Sequence, residues 1–284
     1  MLYLILSIIC SVSVGVLFKI SRPYDTNKLQ IVGFNYLFAL LFCFLAFTPD
    51  LTAIDASAPF VVYGSLGILL PVVFLFLIAA IAHIGIVKTD AAQRLSLFIP
   101  ILAAWLLFGE VFSTYKIIGI LVGFLALFFI LSKPNVTASS SWKYPVLVFL
   151  GFGIIDILFK KVALYTAVPY TTSLFVIFAI ALGVILVPIG FEICSKNQTI
   201  TSRNVLFGFL VGLFNFGNIL FYLKAHKSFT ESPSTVFAGM NMGVIVLGSL
   251  VGIFAFKEKL SKRNYIGLIL ALLSILLIVK AQYR

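Results

Sequence analysis

The chain has 284 residues, 62% of them apolar and only 10% charged, where a soluble domain carries roughly 25% charged residues. That balance excludes a water-soluble globule, a disordered chain, a collagen and a disulfide scaffold. The formal net charge is +11, but the 20 Lys and Arg are scattered between apolar runs rather than gathered in one patch. No nucleic acid partner is expected; the lipid bilayer is, with the charges in connecting loops.

A crossing of the hydrocarbon core takes about 20 mostly apolar residues. Ten such runs follow one another, at 2–20, 30–48, 59–82, 91–108, 114–131, 144–164, 171–191, 203–223, 234–256 and 264–280. Backbone groups in lipid must be satisfied within the protein, so the runs are read as helices. The expected fold class is an all-α integral membrane protein with ten transmembrane helices. The first run has no basic segment before it and no small-x-small cleavage pattern after it, and is read as a membrane helix rather than a signal peptide. Pro71 and Pro100 fall inside the third and fourth runs and predict kinks. Residues 132–142 are polar and Ser-rich, which marks a linker. Asn135 and Asn197 open Asn-x-Thr triplets, a pattern too short to weigh much. Small-x-x-x-small spacings at Gly119/Gly123, Gly208/Gly212, Gly239/Gly243 and Gly248/Gly252 predict close helix contacts. Cys10, Cys43 and Cys194 show neither disulfide nor metal spacing and read as buried thiols.

The chain repeats itself. Phe108, Glu110, Ser113 and Gly119 recur as Phe256, Glu258, Ser261 and Gly267, at an offset of 148 residues. Leu17, Phe18 and Lys19 recur as Leu158, Phe159 and Lys160, and Ala82-His83 as Ala225-His226, at offsets of 141 and 143. Three matches in one order, with five runs in each half, predict a duplication: 1–132, a linker at 133–142, and 143–284. Five crossings per copy force the second copy to enter the membrane from the opposite side. Inverted repeats of this kind build secondary transporters, with the substrate near the midplane.

These residues resemble the drug/metabolite transporter superfamily, in particular its EamA-like ten-helix exporters. The resemblance rests on Gly109-Glu110, on Lys19 and Lys160 closing the first helix of each copy, and on Gly119 and Gly267; it departs at Lys257, which replaces the glycine before Glu258. It implies two five-helix units around a central cavity, lined by the first, third and fourth helices of each half. It also implies alternating access without ATP or any cofactor, export of a small organic metabolite or drug, and both termini in the cytoplasm.

Residues inside the spans give the candidate site. Asn215, Asn218 and Tyr222 stand at i, i+3 and i+7 and form one polar stripe, read as a wet cavity wall with Asn241 nearby. Single amides at Asn35 and Asn241 also suit interhelical hydrogen bonds. Asp156 is the one carboxylate deep in a run, with Lys160 a turn further on. Either the two pair permanently, or Asp156 contacts substrate and couples transport to protons. Gln93 and Arg94 open the fourth run; Arg94 either reaches the headgroups or contacts an anion at the cavity mouth. Glu110 and Glu258 read as interfacial charges, and His83 and His226 as interfacial rather than metal ligands. No ATP loop or catalytic motif occurs, so the chain is not read as an enzyme. A channel and a membrane-embedded enzyme remain the alternatives. The expected location is the plasma (inner) membrane, and the oligomeric state is left open. Under the cytoplasmic-termini arrangement only Lys116, Lys160, Lys161, Lys224, Lys227, Lys280 and Arg284 lie inside, so the positive-inside rule opposes the resemblance.

Overall fold

A computed structural model describes the chain except residues 22, 56–57, 85, 132–142, 197, 258–260 and 282–284. The linker at 133–142, Asn135, Asn197 and Glu258 lie outside the described residues. The described regular structure is helical throughout. It comprises α1 (Leu2–Ser21), α2 (Lys28–Phe47), α3 (Phe60–Ile84), α4 (Ile86–Leu95), α5 (Phe98–Leu106), α6 (Thr114–Leu131), α7 (Lys143–Leu164), α8 (Tyr170–Lys196), α9 (Ser202–Ser228), α10 (Pro233–Phe256) and α11 (Lys262–Lys280), with one 3-10 turn at Leu51–Ala53. Seven of these, α1 to α3 and α8 to α11, are long and apolar enough to cross a membrane. The 22 residues of α7 span about 33 Å but include Asp156, Lys160 and Lys161.

The fourth run differs from expectation: it is two short helices, α4 and α5, broken at Ser96 and Leu97. Pro100 supplies the cause. It has no N–H to return to the Ser96 carbonyl four residues back, and its ring crowds that carbonyl. The Ser96 carbonyl instead accepts the Ile99 N–H at 3.0 Å, and the Leu97 N–H goes to Arg94 O at 3.2 Å. The Ser96 hydroxyl donates to the orphaned Gln93 carbonyl at 2.6 Å. Pro71, by contrast, leaves α3 continuous.

Side-chain contacts define two ends of the bundle. At the end carrying Met1, here the near end, Lys224 of α9 lies over Tyr3 of α1, Lys227 over Tyr170 at the start of α8, and Lys280 of α11 over Tyr115 of α6. At the far end Lys19 of α1 lies 3.9 Å over the Phe256 ring of α10. Asn27 caps α2, accepting from the Leu29 N–H at 2.9 Å, and donates from its amide to Glu192 of α8 at 2.8 Å. Asn204 of α9 donates to Gln30 of α2 at 2.7 Å. These bonds tie the far ends of α2, α8 and α9 together.

Packing between helices relies on small residues. A Cβ added to Gly212 of α9 would meet the Asn35 carbonyl oxygen of α2 at 2.8 Å, and one added to Gly123 of α6 would meet Ser274 Oγ of α11 at 2.8 Å. Ser274 Oγ also donates to the Gly119 carbonyl at 2.6 Å. Three of the four predicted small-residue pairs lie in such contacts. At the fourth, Gly248 has nothing within 4 Å and faces the central cavity instead. Of the cysteines, Cys43 is buried, Cys10 half-buried and Cys194 exposed.

Candidate transport cavity

A cavity of about 680 Å³ opens among α1, α3, α4, α7, α9 and α10. That volume suits a small-molecule ligand. Its wall reaches the far end at Lys28, which is exposed, and at Phe256. It stops short of the near end at Phe159, Asp156 and Tyr222.

Asn215, Asn218, Tyr222 and Asn241 all line this one space, with Asp156, Gln93 and Arg94. The spacing on α9 explains the grouping, because residues three and four apart share a face. Asn218 Oδ1 accepts from Ser7 Oγ of α1 at 2.8 Å, and the Asn241 amide donates to the Phe237 carbonyl one turn back at 3.1 Å. Asn215 makes no hydrogen bond to any described residue, which leaves its amide to water or solute. The Tyr222 hydroxyl donates to Asp156 Oδ1 at 2.8 Å and joins α9 to α7 across the cavity floor.

Lys160 stands apart from this group. Its side chain is fully buried and does not line the cavity. Its ammonium donates to the Thr230 carbonyl at 2.8 Å and to the Phe229 carbonyl at 3.5 Å, at the C-terminal end of α9. Phe229 is the C-cap of α9 and Thr230 follows it, so the ammonium sits beyond the negative end of the helix dipole, where a cation is stabilised. Asp156 and Lys160 share a helix face but form no ion pair.

Beneath the floor the near end is packed shut. The first seven residues of α10, Pro233 through Gly239, are buried. His226 is fully buried rather than interfacial, with its ring 4.6 Å from Tyr222 and 4.8 Å from Phe237. Both its ring nitrogens lack a hydrogen-bond partner among the described residues. His83, exposed, stacks on Tyr144 at 4.4 Å.

Glu110 is likewise buried, not interfacial. Its carboxylate accepts from Lys116 Nζ at 2.6 Å, from Ser234 Oγ at 2.6 Å and from the Ser234 N–H at 2.8 Å. It therefore caps the start of α10 while neutralising Lys116, which also donates to Ser232 Oγ at 3.3 Å. This cluster links the loop after α5 to α6 and α10. The sequence contained a signal for it, since Glu110 recurs as Glu258, but nothing local places the glutamate under a distant helix. Gly109 adopts φ 64°, the left-handed turn that releases the chain from α5 toward that contact.

The profile of the EamA-like transporter family matches residues 1–132. An uncharacterized protein of Haemophilus influenzae is 43% identical over 96% of this chain and 95% of its own length. A protein of known crystal structure aligns with 100% of this chain and 98% of its own at a TM-score of 0.72, with 15% identity, and so shares the fold. With its apolar helices and its central cavity, the chain belongs to the EamA-like transporter family of the drug/metabolite transporter superfamily: a multi-pass integral membrane protein whose work is transport.

Proposed function

We propose that the protein is a secondary transporter that exports a small organic metabolite across the plasma (inner) membrane by alternating access. The observation that carries the reading is the cavity itself: a polar-striped space that reaches the far end and is stopped at the near end by Tyr222, Asp156 and the buried start of α10. Alternation then consists of opening the near end and closing the far end. Asn215, Asn218, Tyr222 and Asn241 contact the solute, with Gln93 and Arg94 nearer the mouth.

Ten crossings in two inverted repeats fit this mechanism, with α4 and α5 together making the fourth. Several contacts come in matching pairs under that arrangement: α2 on α9 with α8 on α3, and α1 on α9 with α7 on α3. Lys257 also shares the left-handed backbone of Gly109, φ 52° against 64°, at the repeat offset.

Proton coupling is assigned to Asp156. It lines the cavity, holds the Tyr222 hydroxyl, and has no ion-pair partner among the described residues. The other ionisable groups around it among the described residues are Lys19, Lys28 and Arg94 on the same cavity wall, Lys160 one turn away on α7, and His226 beneath Tyr222. A carboxylate in this place can exchange its proton with whichever side the cavity faces.

The test has two steps. Metabolites excreted by cells that overproduce or lack the protein identify a solute. Purified protein in liposomes should then show saturable counterflow of it. Asp156→Asn should abolish uphill transport driven by a proton gradient while counterflow persists with a flat pH profile. Full pH-driven accumulation by a well-folded Asp156→Asn protein removes Asp156 from the coupling. Non-saturating flux with no counterflow replaces the carrier with a channel.

A further inference from the structure

We infer that His226 is a proton-sensitive release in the near-end gate: buried and unbonded while that end is closed, it reaches water and takes a proton only when the end opens. The inference rests on the transport reading above and deepens it. It names a second titratable group, beside Asp156, that acts on the gate rather than on the solute.

The closed position is a poor one for an imidazole. His226, in the last turn of α9, is fully buried between the rings of Tyr222 and Phe237. Neither ring nitrogen has a hydrogen-bond partner among the described residues. A polar group buried without a partner gives up its bonds to water and regains none. Closing the near end therefore costs free energy at this residue, and opening it restores the bonds. A charged ring fares worse. Lys160 of α7 is the charged group close enough to act on His226, and its ammonium is held just past the end of α9 by the Phe229 and Thr230 carbonyls. A proton on His226 would bury a second cation beside the first, so the ring is neutral while the end is shut.

The other charges nearby are already engaged. Asp156 of α7 accepts the Tyr222 hydroxyl, and Glu110 pairs with Lys116 under α10. Lys224 and Lys227 of α9 lie over Tyr3 and Tyr170. α10 carries no charged residue, and the charged residues of α1 and α2, Lys19 and Lys28, belong to the far end. With water at its nitrogens an imidazole titrates between pH 5 and 8, so acid favours the open end.

The far end displays the same residue in the other state. His83 is the counterpart of His226 at the repeat offset of 143 residues. It is exposed and stacked on Tyr144, with Nδ1 2.8 Å from the Ala79 carbonyl oxygen and Nε2 3.4 Å from the Tyr144 hydroxyl. One histidine is thus wet and bonded at the open end, and its counterpart dry and unbonded at the closed one. Exchanging the two ends exchanges the two surroundings.

A thiol under α10 reads the gate without knowledge of the solute. In a protein carrying Cys10→Ala, Cys43→Ala and Cys194→Ser, Val236→Cys places one among the buried first residues of α10. A methanethiosulfonate reagent reaches it only when the near end opens. Rates in nanodiscs are divided at each pH by that of Thr166→Cys, exposed after α7, to cancel the titration of the thiol. We expect the ratio to rise at least fivefold from pH 8 to pH 5.5. His226→Gln, which takes no proton, should hold it within twofold over that range. His226→Leu, which has no nitrogens to satisfy, should lower it at least fivefold at pH 8. Asp156→Asn should leave the rise in place. Cys43, buried where α2 meets α8 and kept as the single cysteine in a companion protein, should show no such rise.

A rise that survives His226→Gln but vanishes in Asp156→Asn belongs to the cavity carboxylate and overturns the proposal. A ratio indifferent to pH, faster labelling in His226→Leu, or a Cys43 rate that climbs in step overturns it too. Persistent counterflow with Val236→Cys inert at every pH places the gate elsewhere and leaves the carrier standing. Loss of counterflow in the unaltered protein, by contrast, sinks the transport reading itself.

Discussion

Glu110 neutralises Lys116, caps α10 and is out of contact with water. Removing one member of such a pair strands the other charge, at a cost of about 3–5 kcal/mol. Glu110→Gln should therefore lower unfolding stability in detergent by about that amount. Glu110→Gln combined with Lys116→Met should recover more than half of it, because no charge is then left buried. Equal losses in the single and double variants would show that the ion pair contributes little. Reading this residue from sequence alone goes wrong for a physical reason. Beside Ser113 and Tyr115 a glutamate looks solvated, and the burial comes from Ser232 and Ser234, more than a hundred residues later. Lys160 illustrates the same limit: helical spacing places it on the face of Asp156, but its long stem carries the ammonium to the end of α9. The shared wall of Asn215, Asn218 and Tyr222 was legible because positions three, four and seven apart on a helix lie on one face.

For the helices, the apolar runs located the spans within a few residues, since the length a bilayer demands leaves little freedom. The break in the fourth was only half legible. Pro100 announced a disturbance, but the place of the break one turn upstream, at Ser96, follows from which carbonyl loses its donor. Contacts between helices yield a sharper comparison. Gly212 lies against the backbone of α2, and a side chain there meets an oxygen that cannot move aside. Gly212→Ala should destabilise the protein by about 1–3 kcal/mol, the usual cost of overpacking. Gly183→Ala, on α8 with nothing within 4 Å, should be neutral or slightly stabilising. Thermal melts of the two purified variants make the test; similar melting temperatures would contradict the close approach of α9 and α2.

On the scale of the whole molecule, the orientation in the membrane follows from what the basic residues face. The positive-inside rule counts charges that sit in loops near the membrane surface. Lys19, Lys28 and Arg94, all on the more basic side, face the cavity instead. The same criterion removes the buried Lys116 and Lys160 from the other side, so the count still opposes the cytoplasmic termini that the family expectation favours. A reporter fused after Arg284 should be active only in the cytoplasm. Activity of an exported reporter at that position would invert the direction in which the cavity opens.

The two ends of the bundle also keep their charges in different surroundings. Lys28 is exposed at the mouth, whereas Lys116 and Glu110 are sealed beneath α10. Dissolved ions screen exposed charges over about 8 Å at physiological ionic strength but reach buried pairs far less. Added electrolyte on the open side therefore weakens the field of Lys28 at the mouth, and leaves the ion pair that ties down the opposite end nearly untouched.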